Sequence, residues 1–117
     1  MADRDPNEEL LAHFATAEHQ VDDAVRAWDG AYPLFGGYTN VGMLFTKWRA
    51  LALVADQIQV WSTWSGLPSK LLWSVDATEC GIFNEGRKFD IYRVGPSHTV
   101  WTARQDRERL RRWSAHR

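Results

Sequence analysis

The chain contains few of the residues and segments that form disulfides or cross membranes. Its single cysteine, Cys80, excludes an intramolecular disulfide and favours a reducing compartment. The longest apolar region, residues 41–64, is interrupted by charged and amide side chains, which argues against a transmembrane helix. The N-terminus is acidic and lacks the apolar core of a signal peptide. The sequence therefore predicts a cytoplasmic protein with no membrane partner.

Tryptophan, in contrast, is abundant. The chain has 117 residues, 44% hydrophobic and 25% charged, a composition that predicts one globular domain spanning residues 1–117. Seven of these residues are tryptophan, and each indole carries an N–H group that needs a partner. Because a small domain has difficulty covering seven indoles, we expect at least one to be exposed, as tryptophan often is at binding hot spots.

Charge is distributed unevenly along the chain. Residues 1–29 hold eight acids and two bases, whereas residues 87–117 hold nine bases and three acids. The net charge is therefore −6 in the first segment and +6 in the last, although the whole chain has a net charge of −1. This asymmetry predicts either that the two ends meet within the fold or that they bind different partners.

Hydrophobic periodicity predicts an α+β fold with two long N-terminal helices, a C-terminal β-hairpin and a short basic C-terminal helix. The first helix is expected over residues 6–29, between a proline that suits the first helical position and a terminating glycine. The second is expected to run from a cap at Thr39 or Asn40 to Trp64.

The second predicted helix carries apolar side chains on two sides. The first stripe is expected to face the core through Trp48, Leu51, Ala55 and Ile58. A second set lies roughly 120° away around the helix: Met43, Ala50, Val54 and Trp61, with Leu53 and Trp64 close to it. Such a helix is either central in its own fold or docks a partner on its second side.

The C-terminal half carries strand signals. Phe89–Val94 and Thr99–Ala103 flank a Gly-Pro loop and predict a hairpin in which Val94 pairs with Thr99 and Tyr92 faces Trp101. Residues 70–75 fit either a strand or a short helix.

No constellation of catalytic or metal-binding residues stands out. Cys80 has His98 and Asp90 as candidate partners, but its acidic neighbours disfavour the thiolate that nucleophilic catalysis needs. His19 and Asp23 are one helical turn apart in the first predicted helix, where a solvated acidic face is the simpler interpretation. We therefore expect no catalytic residues, no metal and no cofactor.

The basic C-terminal segment is the strongest functional signal. It predicts contacts with nucleic acid or an acidic partner through Arg104, Arg107, Arg111, Arg112 and Trp113. Three simpler interpretations compete: compensation of the helix dipole, a soluble mixed-charge face, and neutralisation by the acidic first helix. The near-neutral isoelectric point of about 6.4 also differs from that of a dedicated nucleic-acid binder.

Taken as a whole, these features favour a small non-enzymatic protein-protein interaction protein, an adaptor or regulator that binds a protein partner or itself. Its partner interface is expected at Met43, Val54, Trp61 and Trp64. The alternative is a small nucleic-acid-binding regulatory protein that uses the Arg-rich C-terminal helix. An enzyme of unknown class is the third hypothesis.

Overall fold

A seven-stranded antiparallel sheet dominates the computed structural model, which describes residues 6–17, 19–30, 46–65 and 67–115. Two short helices accompany the sheet, α1 (Pro6–Thr16) and α2 (Arg107–Ala115). The strands are β1 (Asp23–Gly30), β2 (Thr46–Val54), β3 (Gln57–Trp64), β4 (Leu67–Asp76), β5 (Cys80–Asn84), β6 (Phe89–Val94) and β7 (Thr99–Ala103). Their order across the sheet is β4-β3-β2-β1-β7-β6-β5.

The sheet is curled, so its two edge strands approach each other. The end of β4 leads through a short 3-10 turn, Ala77–Glu79, directly into β5 at the opposite edge. On β4, the Trp73 ring lies 5.0 Å from the ring of His98, which is in the turn between β6 and β7. The backbone N–H of Gly95 in that turn also donates to the Glu79 carbonyl at 3.2 Å. The curled sheet therefore encloses apolar side chains on its inner face.

Each face of the sheet buries its own apolar cluster. The larger cluster includes Val25, Leu51 and Tyr92 from the strands, and α2 contributes Leu110 and Trp113 to it. The smaller cluster lies on the other face, where α1 packs Leu10 and Phe14 over Ala24, Ala50, Ala52 and Trp61. The central strands β1 and β2 are thus covered on both sides.

The prediction of a first helix over residues 6–29 is wrong, because the helix ends at Thr16 and the chain continues into β1. Val25 is fully buried on one face of β1, and Ala24 is fully buried on the other. A strand buried on both faces loses the alternation of apolar and polar residues that identifies strands. The apolar residues of this strand are instead spaced in the sequence as they would be along one face of a helix.

The second predicted helix is also wrong over the part of it that the structure describes. Residues 46–64 form β2 and β3, joined by a tight turn in which Ala55 has a φ of 54°. The two predicted stripes match the two buried faces of these strands only in part, because Leu53, placed beside the second stripe, packs in the larger cluster with Leu51 of the first. Leu51 and Ile58 are buried as expected, whereas Ala55 is exposed in the turn. The protein is therefore mainly β-sheet, and its prediction as a helical protein with two long N-terminal helices is corrected.

The C-terminal elements lie where the sequence predicted them. The hairpin is formed by β6 and β7, and the basic tail forms α2 after a 3-10 turn, Arg104–Asp106. The hairpin register differs from the predicted one by one residue, because Tyr92 pairs with Val100 and not with Trp101. A loop closed by the Val94 N–H and the His98 carbonyl, with Gly95 at a φ of 115°, accounts for this shift. Residues 70–75 belong to β4.

No helix within the described ranges is both long enough and apolar enough to cross a membrane.

Candidate functional site

Exposed apolar side chains are concentrated on the hairpin of β3 and β4. Trp64 is 79% exposed, and Leu67, Leu71 and Leu72 are 38–42% exposed. Among the described residues, Phe83 on β5 is the other exposed large apolar side chain. We call Trp64, Leu67, Leu71 and Leu72 the hairpin patch. Because large apolar side chains exposed together often mark a surface where another molecule binds, this hairpin is the candidate binding surface.

The backbone of β4 is an edge that discourages pairing with another strand. Pro68 cannot donate a ladder hydrogen bond, and Lys70 places a charge in the middle of the exposed stretch. The pairing with β3 shifts register twice, between Val60 and Trp61 and between Trp61 and Thr63. The Ser62 hydroxyl bridges this irregular region by accepting from the Lys70 N–H at 3.1 Å. The hairpin patch therefore offers side chains for docking more readily than a free strand edge.

The described residues among those predicted to form the partner interface, Val54, Trp61 and Trp64, do not come together. Trp61 is 8% exposed and packs edge-on against Phe14 at 5.3 Å, beneath α1. Trp64 extends from the end of the same strand into solvent. Val54 lies partly buried at the end of β2, and Met43 lies outside the described residues. Of the four, Trp64 is the one that the structure places in the hairpin patch.

The cationic side chains of the basic tail are largely paired with acids. Arg107 forms a two-pronged contact with Asp90, donating from Nε at 2.9 Å and from Nη2 at 2.8 Å. Arg111 binds Glu85 and Glu108. These acids lie on β6, in the turn between β5 and β6, and on α2 itself. Among the described acids of residues 1–29, only Asp23 pairs with a base of the tail.

The Asp90 carboxyl group has no exposed surface. Burial alone would raise its pKa, but hydrogen bonds from Arg107 and from the Gly86 N–H outweigh this effect and hold the pKa below its ordinary value. The pair joins α2 to β6, and both side chains also bind the backbone of Gly86 in the turn before that strand, so the ion pair has a structural role.

Asp23 at the start of β1 is the point where the acidic and basic segments meet. Its Oδ2 accepts from the Trp113 indole Nε1 at 2.8 Å and lies 3.1 Å from the Arg109 Nε. Trp113 is 2% exposed, so its ring is a core side chain with no face open for stacking. Of the predicted contact residues in the tail, Arg104, Arg111 and Arg112 are exposed, and Arg111 is paired with Glu85 and Glu108.

The candidate catalytic and metal residues are each held by other groups. Burial raises the pKa of the Cys80 thiol to about 12, despite a backbone hydrogen bond from Gly95 that lowers it. His98 Nε2 lies 3.2 Å from both carboxylate oxygens of Asp29. The His19 ring packs against Trp61 at 5.1 Å. Within the described ranges, no three His, Cys, Asp or Glu residues are grouped as metal ligands.

Sequence reasoning missed Leu67, Leu71, Leu72 and Phe83. The three leucines lie in or beside the segment that was ambiguous between strand and helix, so no face could be assigned to them. One signal in the sequence could have indicated an exposed edge strand here. Two consecutive leucines follow Lys70, shortly after a turn region that contains glycine and proline.

No protein-family model matches this chain, and no curated protein or solved structure shows significant similarity to it.

Proposed function

We propose that the chain is a non-enzymatic protein-protein interaction protein, an adaptor or regulator that docks another protein on the hairpin patch. The supporting observation is that four of the five large apolar side chains exposed among the described residues belong to one hairpin. Trp64 supplies a large anchor of the type that dominates binding energy at interfaces, and the leucines supply the surrounding apolar area.

The partner that fits this surface offers an apolar segment flanked by an acid. Lys70 is exposed between Leu67 and Leu71, so an acidic group of the partner can pair with it at the rim of the contact. A second copy of the chain would bring two Lys70 side chains into one interface, where their like charges repel. The expected partner is therefore a different protein. Self-association remains a distinct outcome of the test.

Contacts around α2 favour this proposal over nucleic-acid binding through that helix. Arg107, Arg109 and Arg111 each lie against a carboxylate, and Trp113 is buried. A phosphate would have to displace those acids before it could bind the same guanidinium groups.

Site-specific photo-crosslinking tests the proposal. A photoreactive aromatic residue replaces Leu71 in cells that express the protein, and the control carries the same residue at Glu8, which is exposed on α1. We expect discrete adducts from position 71 and none from position 8. Adding Trp64→Ser should abolish the adducts while changing the stability by less than about 0.5 kcal/mol, because the side chain is exposed.

Adducts of twice the chain mass would identify self-association at the hairpin patch, and light scattering of the purified protein would then show a dimer that Trp64→Ser dissociates. Equal adducts from both positions, or adducts that survive Trp64→Ser, would overturn the proposal.

A further inference from the structure

A concavity lies between the end of β5 and α2. It is an open depression in the surface with a volume of about 540 Å³. It is lined by Ile82, Phe83, Asn84, Glu85 and Arg111. One wall is the ring of Phe83, which is 62% exposed although its strand belongs to the sheet. An exposed aromatic ring beside a concavity is a surface on which a flat ligand group can stack.

The Phe83 ring is supported by a cation. The guanidinium carbon of Arg93, on the neighbouring strand β6, lies 5.5 Å from the ring centroid. This is a cation–π contact, in which the guanidinium group lies over one face of the ring and places a positive charge next to it. Nucleobases stack on such aromatic platforms, while the phosphates between them bind the adjacent cations.

The polar groups around the ring have matching chemistry. Asn84 is exposed and carries both a hydrogen-bond donor and an acceptor, as an amide needs in order to bind a base edge. Arg87 and Lys88 follow in the turn after β5 and are exposed. The lining acid, Glu85, forms ion pairs with Arg107 and Arg111, which reduce its repulsion of a phosphate.

We infer that single-stranded nucleic acid binds along this surface, with one base stacked on Phe83 and its flanking phosphates near Arg93, Arg87 and Lys88. A single strand is favoured over a duplex because only an unpaired base can leave its neighbours to stack on a side chain. The inference concerns β5 and its turn, and it is independent of the proposed docking at the hairpin patch.

Fluorescence anisotropy with a fluorescein-labelled 15-nucleotide oligo(dT) at 50 mM salt tests the inference. Loss of one base–aromatic stack weakens binding by about fivefold to 150-fold. We therefore expect that weakening for Phe83→Leu, which keeps the apolar bulk, and near-native binding for Phe83→Tyr, which keeps the aromatic face. Removing the Arg87 charge should reduce the slope of log affinity against log salt by about 0.7, and the control Lys47→Ala should leave the affinity unchanged.

Several outcomes would overturn the inference. They are the absence of binding at 50 mM salt, equal affinity for Phe83→Leu and the native protein, and equal affinity for a duplex of the same length. Competition by polyglutamate as strong as that by unlabelled oligo(dT) would assign the surface to acidic peptides instead. Circular dichroism melts of both Phe83 variants establish that each is folded in the assay.

Discussion

The buried Trp113 of α2 should be the residue through which the basic tail contributes most to stability. Its ring is 2% exposed within the larger apolar cluster, so Trp113→Ala should lower the free energy of unfolding by about 3–5 kcal/mol. The indole also donates to the Asp23 carboxylate at 2.8 Å. Because hydrogen bonds to charged groups contribute about 1.5–3 kcal/mol and this carboxylate also contacts Arg109, we expect about 1.5 kcal/mol from the bond itself.

Urea denaturation of Trp113→Ala measures the cost of removing the ring, and a separate set of four proteins isolates the hydrogen bond. The set comprises the native chain, Trp113→Phe, Asp23→Asn and the double variant, and the double-mutant cycle isolates the coupling between the two side chains. Arg112→Ala, a change at an exposed position on the same helix, serves as the control. A loss below about 1 kcal/mol for Trp113→Ala would show that the ring is not a core side chain. Such a result would return Trp113 to the surface role that the sequence suggested.

Two further predictions follow from buried ionisable groups. In the folded state the pKa of Asp90 lies below its unfolded value, because hydrogen bonds from Arg107 outweigh burial, so its stabilisation is full above about pH 4 and is lost as pH falls through the lowered pKa. Asp90→Asn should therefore lower the melting temperature at pH 7 and flatten its decline toward pH 2; parallel melting curves would contradict this. Burial raises the pKa of the Cys80 thiol to about 12, so an aromatic disulfide reagent at pH 8 should label the native protein far more slowly than the protein in urea. Equal labelling rates would contradict the buried position.

The local signals of the C-terminal half were sufficient to predict its hairpin and its final helix, whereas those of the N-terminal half were not. The Gly95-Pro96 loop interrupts two short runs rich in β-branched and aromatic residues, and such punctuation identifies a hairpin directly. The turn between β2 and β3 consists of Ala55 and Asp56 and has no glycine. With no such marker, two consecutive strands read as one continuous apolar segment.

The position of β1 and β2 in the sheet explains why periodicity failed there. Both strands have neighbours on each side and a helix or curled strands over each face, so Ala50 and Leu51 are equally buried although they point in opposite directions. Apolar residues on both faces follow no period of two. Local propensity does not predict which strands are buried on both faces, because that burial depends on the elements that the rest of the chain packs against each face.

Charge shows the same dependence on tertiary context. In a helix, Asp22 and Asp23 would have formed a solvated acidic face, yet each has a specific structural partner. Asp22 accepts from the Ala55 N–H at 2.8 Å and supports the turn between β2 and β3, while Asp23 accepts from Trp113. The charge asymmetry left open whether the two ends meet or bind different partners; among the described residues, acids of the first segment and bases of the tail meet at one carboxylate, Asp23, and not through two complementary surfaces. Arg107, Arg109 and Arg111 of the tail are already paired with acids of the chain itself. We therefore expect other molecules to bind at exposed side chains elsewhere on the sheet, in the hairpin patch and at Phe83.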